Sequence, residues 1–102
     1  MTDELPFVIS DAAVEEIVKI YNQKNIPSDM GLRIGIRGSG CSGVSYLLAF
    51  DVKSDNDKEF YIKHIPIYVD KKHFMYITGL HIDFINDEVQ HGFVLENPDT
   101  QF

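Results

Sequence analysis

Gly31-Leu32-Arg33-Ile34-Gly35-Ile36-Arg37-Gly38-Ser39-Gly40-Cys41-Ser42-Gly43-Val44-Ser45-Tyr46 is the stretch that decides how this chain is read. From Leu32 to Arg37 apolar and polar residues alternate, with Leu32, Ile34 and Ile36 on one side and Arg33, Gly35 and Arg37 on the other. A period of two predicts a half-buried strand. Gly38 to Gly43 holds three glycines in six residues, a composition that permits backbone angles other residues avoid and predicts a loop. Val44 to Phe50 is mostly apolar and reads as a second strand.

Outward from this unit, Ser10 to Lys24 has the clearest helical period. Val14, Ile17, Val18 and Tyr21 recur at i, i+3, i+4 and i+7, one face of a helix expected to be buried. Ser10 is a suitable N-cap, Asp11 suits the first turn, and Pro27 bars continuation. Core packing is the simpler use of that face than a partner groove. Asp51 to Lys58 reads as a charged turn with Asp55-Asn56-Asp57 at its tip. Glu59–Lys63 and Pro66–Val69 are expected as strands. Asp70 is expected to cap a short helix over Lys71–Ile77 that Gly79 stops. His81–Ile85 and Gly92–Glu96 complete about six strands. The expected class is α+β: a compact β-rich domain spanning 1–102, with mixed or antiparallel sheets, one N-terminal helix and a short second helix.

Composition narrows the function classes. The chain has 102 residues, enough for one domain with a core, and 12% of them are aromatic. No apolar run approaches the ~20 residues of a membrane span. Met1 to Pro6 carries two acids and no base, unlike a signal peptide, so the cytoplasm is expected. The formal net charge is −7, and among nine basic residues only Lys71 and Lys72 are adjacent. Nucleic-acid binding calls for a basic stripe, so it is set aside. Solubility, or a basic partner, accounts for the acidic balance.

Cys41 is the one cysteine, so no intrachain disulfide forms. Glycine-rich backbone can turn successive N–H groups toward one point, and that favours an anion there. Such dipoles, with Arg37 nearby, lower a thiol pKa, and the thiolate is the form that ligates metal. Other readings of the loop fit less well. A phosphate-binding P-loop needs Lys and Ser/Thr after its last glycine, where Val44 and Ser45 stand. A nucleophile elbow needs glycine two residues before the nucleophile, where Ser39 stands. A Cys–His hydrolase needs a positioned histidine, and spacing selects none of His64, His73, His81 and His91. A glycine-rich hairpin with an incidental cysteine is the plainest alternative.

Read with its flanks, the stretch closely resembles the signature of the A-type iron–sulfur cluster carriers, the HesB-like or IscA-like family. That signature is a strand, a glycine-flanked cysteine, and an aromatic-bearing strand that ends in Asp, here Phe50-Asp51. Ile67-Tyr68-Val69-Asp70 with Phe74-Met75-Tyr76-Ile77-Thr78-Gly79 is similar to a later family segment. His81-Ile82-Asp83-Phe84 and Gly92-Phe93-Val94-Leu95-Glu96-Asn97-Pro98 resemble the two that follow. The resemblance covers about Val8 to Pro98. It implies a β-rich fold, a homo-oligomer (dimer or tetramer), binding of iron or an iron–sulfur cluster, and delivery to apo iron–sulfur proteins or exchange with assembly machinery. Cys41 corresponds to the first of three family ligands. The other two form a Cys-x-Cys shortly after Asn-Pro, where this sequence has Asp99-Thr100-Gln101-Phe102. Glu96, Asp99 and His91 are the auxiliary ligand candidates that remain, and His64, His73 and His81 are expected to be structural.

Two functions follow. One is an assembly or carrier protein that holds metal through Cys41. The alternative is a non-catalytic relative that has lost cluster binding and serves as a protein-interaction or regulatory module. No acid–base or nucleophilic constellation marks an enzyme, so none is expected. If Cys41 is an activated thiolate, its alkylation rate plotted against pH will have a midpoint below the free-thiol value of ~8.5. A midpoint at or above that value would count against it.

Overall fold

The computed structural model describes residues 5–40 and 43–97. Two sheets and two helices make up the fold. Strand β1 (Val8–Ile9) leads into helix α1 (Asp11–Gln23), then β2 (Met30–Gly40), β3 (Gly43–Val52), β4 (Asp57–Ile62) and β5 (Ile65–Asp70). A 3-10 turn at Lys71–His73 runs into α2 (Phe74–Ile77), followed by β6 (His81–Asn86) and β7 (His91–Glu96). One sheet has the order β1-β6-β7, the other β3-β2-β5-β4. Of the three antiparallel hairpins, β2–β3, β4–β5 and β6–β7, the first two are joined by a short parallel contact between β2 and β5, and a second short parallel contact sets β1 beside β6. The α+β class and the mixed sheets expected from the sequence are what is seen.

The core is aliphatic. Ile34, Ile67, Val69, Ile77, Leu80 and Ile82 are buried together with Phe7, Ala13, Ile17, Leu32 and Ile65. The alternation read in β2 holds at Leu32 and Ile34, which face this core, whereas Ile36 is half-buried and Gly35 is buried. Helix α1 packs on β6. Its N-cap works as expected: Ser10 Oγ accepts from Ala13 N at 3.1 Å and donates to Asp83 Oδ1 at 2.6 Å, fixing the helix start to β6.

Four expectations need correction. The fully buried residues of α1 are Ala13 and Ile17; of the expected face, Val18 and Tyr21 are half-buried and pack against the core, and Val14 is half-buried. Those three look onto a groove of about 600 Å³ between the helix and the β4–β5 turn. Strand β1 went unread because a two-residue strand has no visible period. Asp57 is no turn tip: it opens β4 and is buried, for a reason given below. The glycine-rich loop is largely strand. Pairing of β2 with β3 continues to Gly40↔Gly43, leaving only Cys41 and Ser42, outside the described residues, between paired positions. Glycine tolerates a loop but does not compel one.

Two backbone positions are unusual. An added Cβ on Gly31 would fall onto the carbonyl oxygen of Pro66 and the ring of Tyr68, so this close approach of β2 to β5 requires glycine. The two-residue β4–β5 connection has φ 48° at Lys63 and 75° at His64. A tight hairpin needs such left-handed angles, and at non-glycine residues each costs on the order of 1 kcal/mol. Ile17 is 2% exposed. Replacing it with Ala is expected to lower stability by ~2–5 kcal/mol, measured by urea unfolding.

Candidate functional site

The β2–β3 hairpin carries the candidate cysteine, so its support is the first question. Register slips between Ile36↔Tyr46 and Gly38↔Ser45, leaving Arg37 as an extra residue in β2. This bulge bends and twists the hairpin beyond it. Arg37 itself is exposed. Cys41 and Asp99, two of the residues singled out from the sequence, lie outside the described residues.

Below the bulge, Tyr46 reaches across to α2. Its hydroxyl donates to the carbonyl of Tyr76 at 3.4 Å. The same carbonyl accepts from Asn97 Nδ2 at 3.0 Å, and that amide nitrogen also donates to the carbonyl of Thr78 at 2.9 Å. Asn97 is buried, so its amide needs such partners. The hairpin next to its bulge, the end of α2 and the end of β7 are thus fastened at one acceptor. Helix α2 is stopped there by Gly79 at φ 85°.

The other ligand candidates separate. Glu96 is exposed at the last position of β7, paired in register with His81. It shares a shallow hollow on the outer face of the three-stranded sheet with Val8, His81 and Asp83. His91 stands at the opposite end of β7. Its Nδ1 is 2.8 Å from Asn86 Oδ1, and its ring meets Phe84 edge-on at 5.4 Å. Five residues of strand separate Glu96 from His91, roughly 17 Å, so the two cannot hold one metal ion. Among the described residues no three His, Cys, Asp or Glu side chains gather into a metal site. Of the histidines expected to be structural, His64 and His81 are exposed and His73 is half-buried.

Sequence reasoning missed the main electrostatic node. Arg33 Nη1 and Nη2 donate to Asp57 Oδ1 and Oδ2, both at 2.7 Å, a two-pronged pair. Arg33 Nε donates to Asp51 Oδ2 at 2.9 Å, and Nη2 also reaches the carbonyl of Val52 at 3.0 Å. The guanidinium lies 5.9 Å from the centre of the Tyr68 ring. The Asp57 side chain is 0% exposed and that of Arg33 18%. The hydrogen bond from Arg33 holds the Asp57 carboxyl below the ordinary carboxylate range and keeps Arg33 firmly protonated. Asp51 is lowered first by the backbone N–H of Val52 and then by Arg33. Facing positions across a hairpin could have paired Arg33 with the Asp51 region, but no local pattern points to Asp57.

Known proteins resemble this chain along most of its length. A family model described as iron–sulphur cluster biosynthesis matches residues 6–101. The iron-binding protein IscA of Yersinia enterocolitica is 36% identical over 93 residues, covering 90% of this chain and 85% of that protein. The crystal structure of Escherichia coli SufA, involved in biosynthesis of iron–sulfur clusters, has TM-score 0.74 over 93% of this chain and 82% of its own, at 24% identity. A crystal structure of IscA with a 2Fe–2S cluster has TM-score 0.72 over 90% and 85%, at 22% identity. These two structures share the fold.

Asp57 has a lowered pKa in the folded chain, so its stabilisation is present above its ordinary value of 3.8 and is lost as pH falls through the folded value. Asp57→Asn is expected to cost roughly 3 kcal/mol near neutral pH, the low end for a broken buried pair because Asp51 stays on Arg33. Urea unfolding from pH 7 to pH 2 is expected to show a shallower acid loss in the variant than in the parent.

Proposed function

The chain belongs to the iron–sulphur cluster biosynthesis family, and on that premise we propose that it is an assembly and carrier protein. It binds iron or an iron–sulfur cluster through Cys41 and delivers it to apo-proteins. The observation that supports this most is the β2–β3 register. Pairing runs to Gly40↔Gly43, so the one thiol in the sequence is one of two residues linking a long hairpin beyond a bulge. The curated relative is named for iron binding, which agrees with a thiolate ligand.

Ligand arithmetic then points to an oligomer. Cluster irons are commonly held by four thiolates. These 102 residues supply one, two copies supply two, and oxygen donors serve iron as poorer auxiliaries. In the sequence Glu96 immediately precedes Asn97 and Asp99 comes two residues after it; the Asn97 side chain shares an acceptor with Tyr46 of the hairpin. His91 is the weakest auxiliary, for it stands at the far end of β7.

Anaerobic reconstitution with iron and sulfide, read by visible absorption, tests the reading. Cluster absorption is expected to rise with protein concentration, as an oligomeric site requires, and to vanish in Cys41→Ser. Stoichiometric cluster binding that survives Cys41→Ser would sink the assignment of Cys41. Absence of any cluster signal would favour the alternative, a protein-interaction module.

A further inference from the structure

We propose that the exposed face of the Lys71–Ile77 segment docks an acidic, apolar-bearing peptide segment of a protein partner. The 3-10 turn and α2 together form two helical turns, in which residues three and four apart share a face. Lys71 and Lys72 therefore stand beside Met75 and Tyr76. All four are exposed, Met75 at 77% and Tyr76 at 43%, whereas Phe74 is half-buried and Ile77 is buried. Lys58 of β4 joins the cations from the side, its Nζ 4.7 Å from the centre of the Phe74 ring. Lys71 N also donates to the carbonyl of Asn56 at 2.8 Å, which holds the β3–β4 turn against this segment.

Charge selects the occupant. The chain carries −7 overall, yet its one adjacent lysine pair lies here. The ion pairs among the described residues use Arg33 and Lys53, and none uses Lys58, Lys71 or Lys72. Asp70, the acid on this segment, accepts from the backbone N–H of Lys72 at 3.0 Å as the turn's cap. An acidic partner segment complements three ammonium groups that form no ion pair among the described residues, and an apolar residue on it covers Met75, whose unbranched thioether adapts to varied shapes. Location gives the surface its meaning. The carbonyl of Tyr76 is the acceptor shared by Tyr46 and Asn97, so a segment seated on Met75 and Tyr76 lies against the cysteine hairpin next to its bulge. That meaning rests on the proposed role of Cys41; the docking itself does not.

The test titrates the isotope-labelled, iron-free full chain with a short synthetic peptide of alternating Glu and Leu, followed by amide NMR shifts. A Gln–Leu peptide of the same length is the control. Shifts are expected to concentrate on residues 71–77 and Lys58 and to weaken with salt. The Gln–Leu peptide, and the pair Lys71→Glu with Lys72→Glu, are each expected to weaken binding at least tenfold. Met75→Ser is expected to weaken it without changing the salt dependence. These residues are exposed, so unchanged thermal unfolding will show that the variants fold. Shifts centred elsewhere, or binding indifferent to charge reversal, would overturn the proposal. So would concentration-dependent shifts of the same residues without peptide, which would assign the face to a second copy. Because the titration needs no metal, its failure is distinct from failure of cluster reconstitution.

Discussion

The four-stranded sheet hangs on a parallel contact between β2 and β5 that pairs only Leu32↔Ile67 and Arg33↔Tyr68. Everything else in that sheet is local hairpin. A joint so short depends on how closely two backbones approach and on what ties them sideways. Gly31 meets the first need, since Pro66 and Tyr68 occupy the space where a side chain would begin. Arg33 meets the second: it sits at a paired position, lies over Tyr68, and grips Asp51 from β3 and Asp57 from β4. One guanidinium therefore ties the strands on either flank to the joint. Arginine suits this task because its planar fork engages a carboxylate at two points and stays charged.

Much of the architecture could be read from the chain because its local signals agree with one another. The helix over Ser10–Lys24, the strand over Leu32–Arg37 and the Asp70 cap each reappear in the fold. The acids and amide within the family-like motifs turn out to be fasteners. Asp51 holds Arg33, Asp70 caps the turn, Asp83 accepts from Ser10, and Asn97 binds the carbonyls of Tyr76 and Thr78. What local reading missed was set by distant partners. Asp57 looked like a solvated turn residue because nothing nearby hints at a guanidinium arriving from Arg33. Of the expected helix face, Val14, Val18 and Tyr21 are only half-buried, because a periodic pattern marks apolar positions, not where the opposing surface leaves a groove. The glycines of the cysteine hairpin suggested a loop because their freedom is visible in sequence, whereas their pairing is not.

Sequence reading singles out Cys41, which lies outside the described residues, but not the arrangement of the other candidate ligands. A thiol among glycines stands out by composition. The spread of its auxiliary candidates does not, because Glu96 and His91 are close in sequence yet point to opposite ends of one strand. Tyr46 and Asn97 are 51 residues apart in sequence, by their numbering, and still converge on one carbonyl. Through that one carbonyl, β3, α2 and the end of β7 are held to one another.

The pairing of β1 with β6 has a consequence for how the molecule assembles in time. Val8 lies against His81 and Ile9 against Ile82, so this contact closes a loop of 73 residues, whereas the three hairpins close short ones. Loop-closure entropy grows with length, and contacts distant in sequence are slow to form. The hairpins can therefore organise first, with the N-terminal strand arriving late, carrying the start of α1 with it through Ser10 and Asp83. A chain emerging from synthesis N-terminus first must then hold β1 in waiting until β6 exists. Phe7, whose ring meets Phe60 of β4 at 5.7 Å in the finished fold, belongs to the segment that waits.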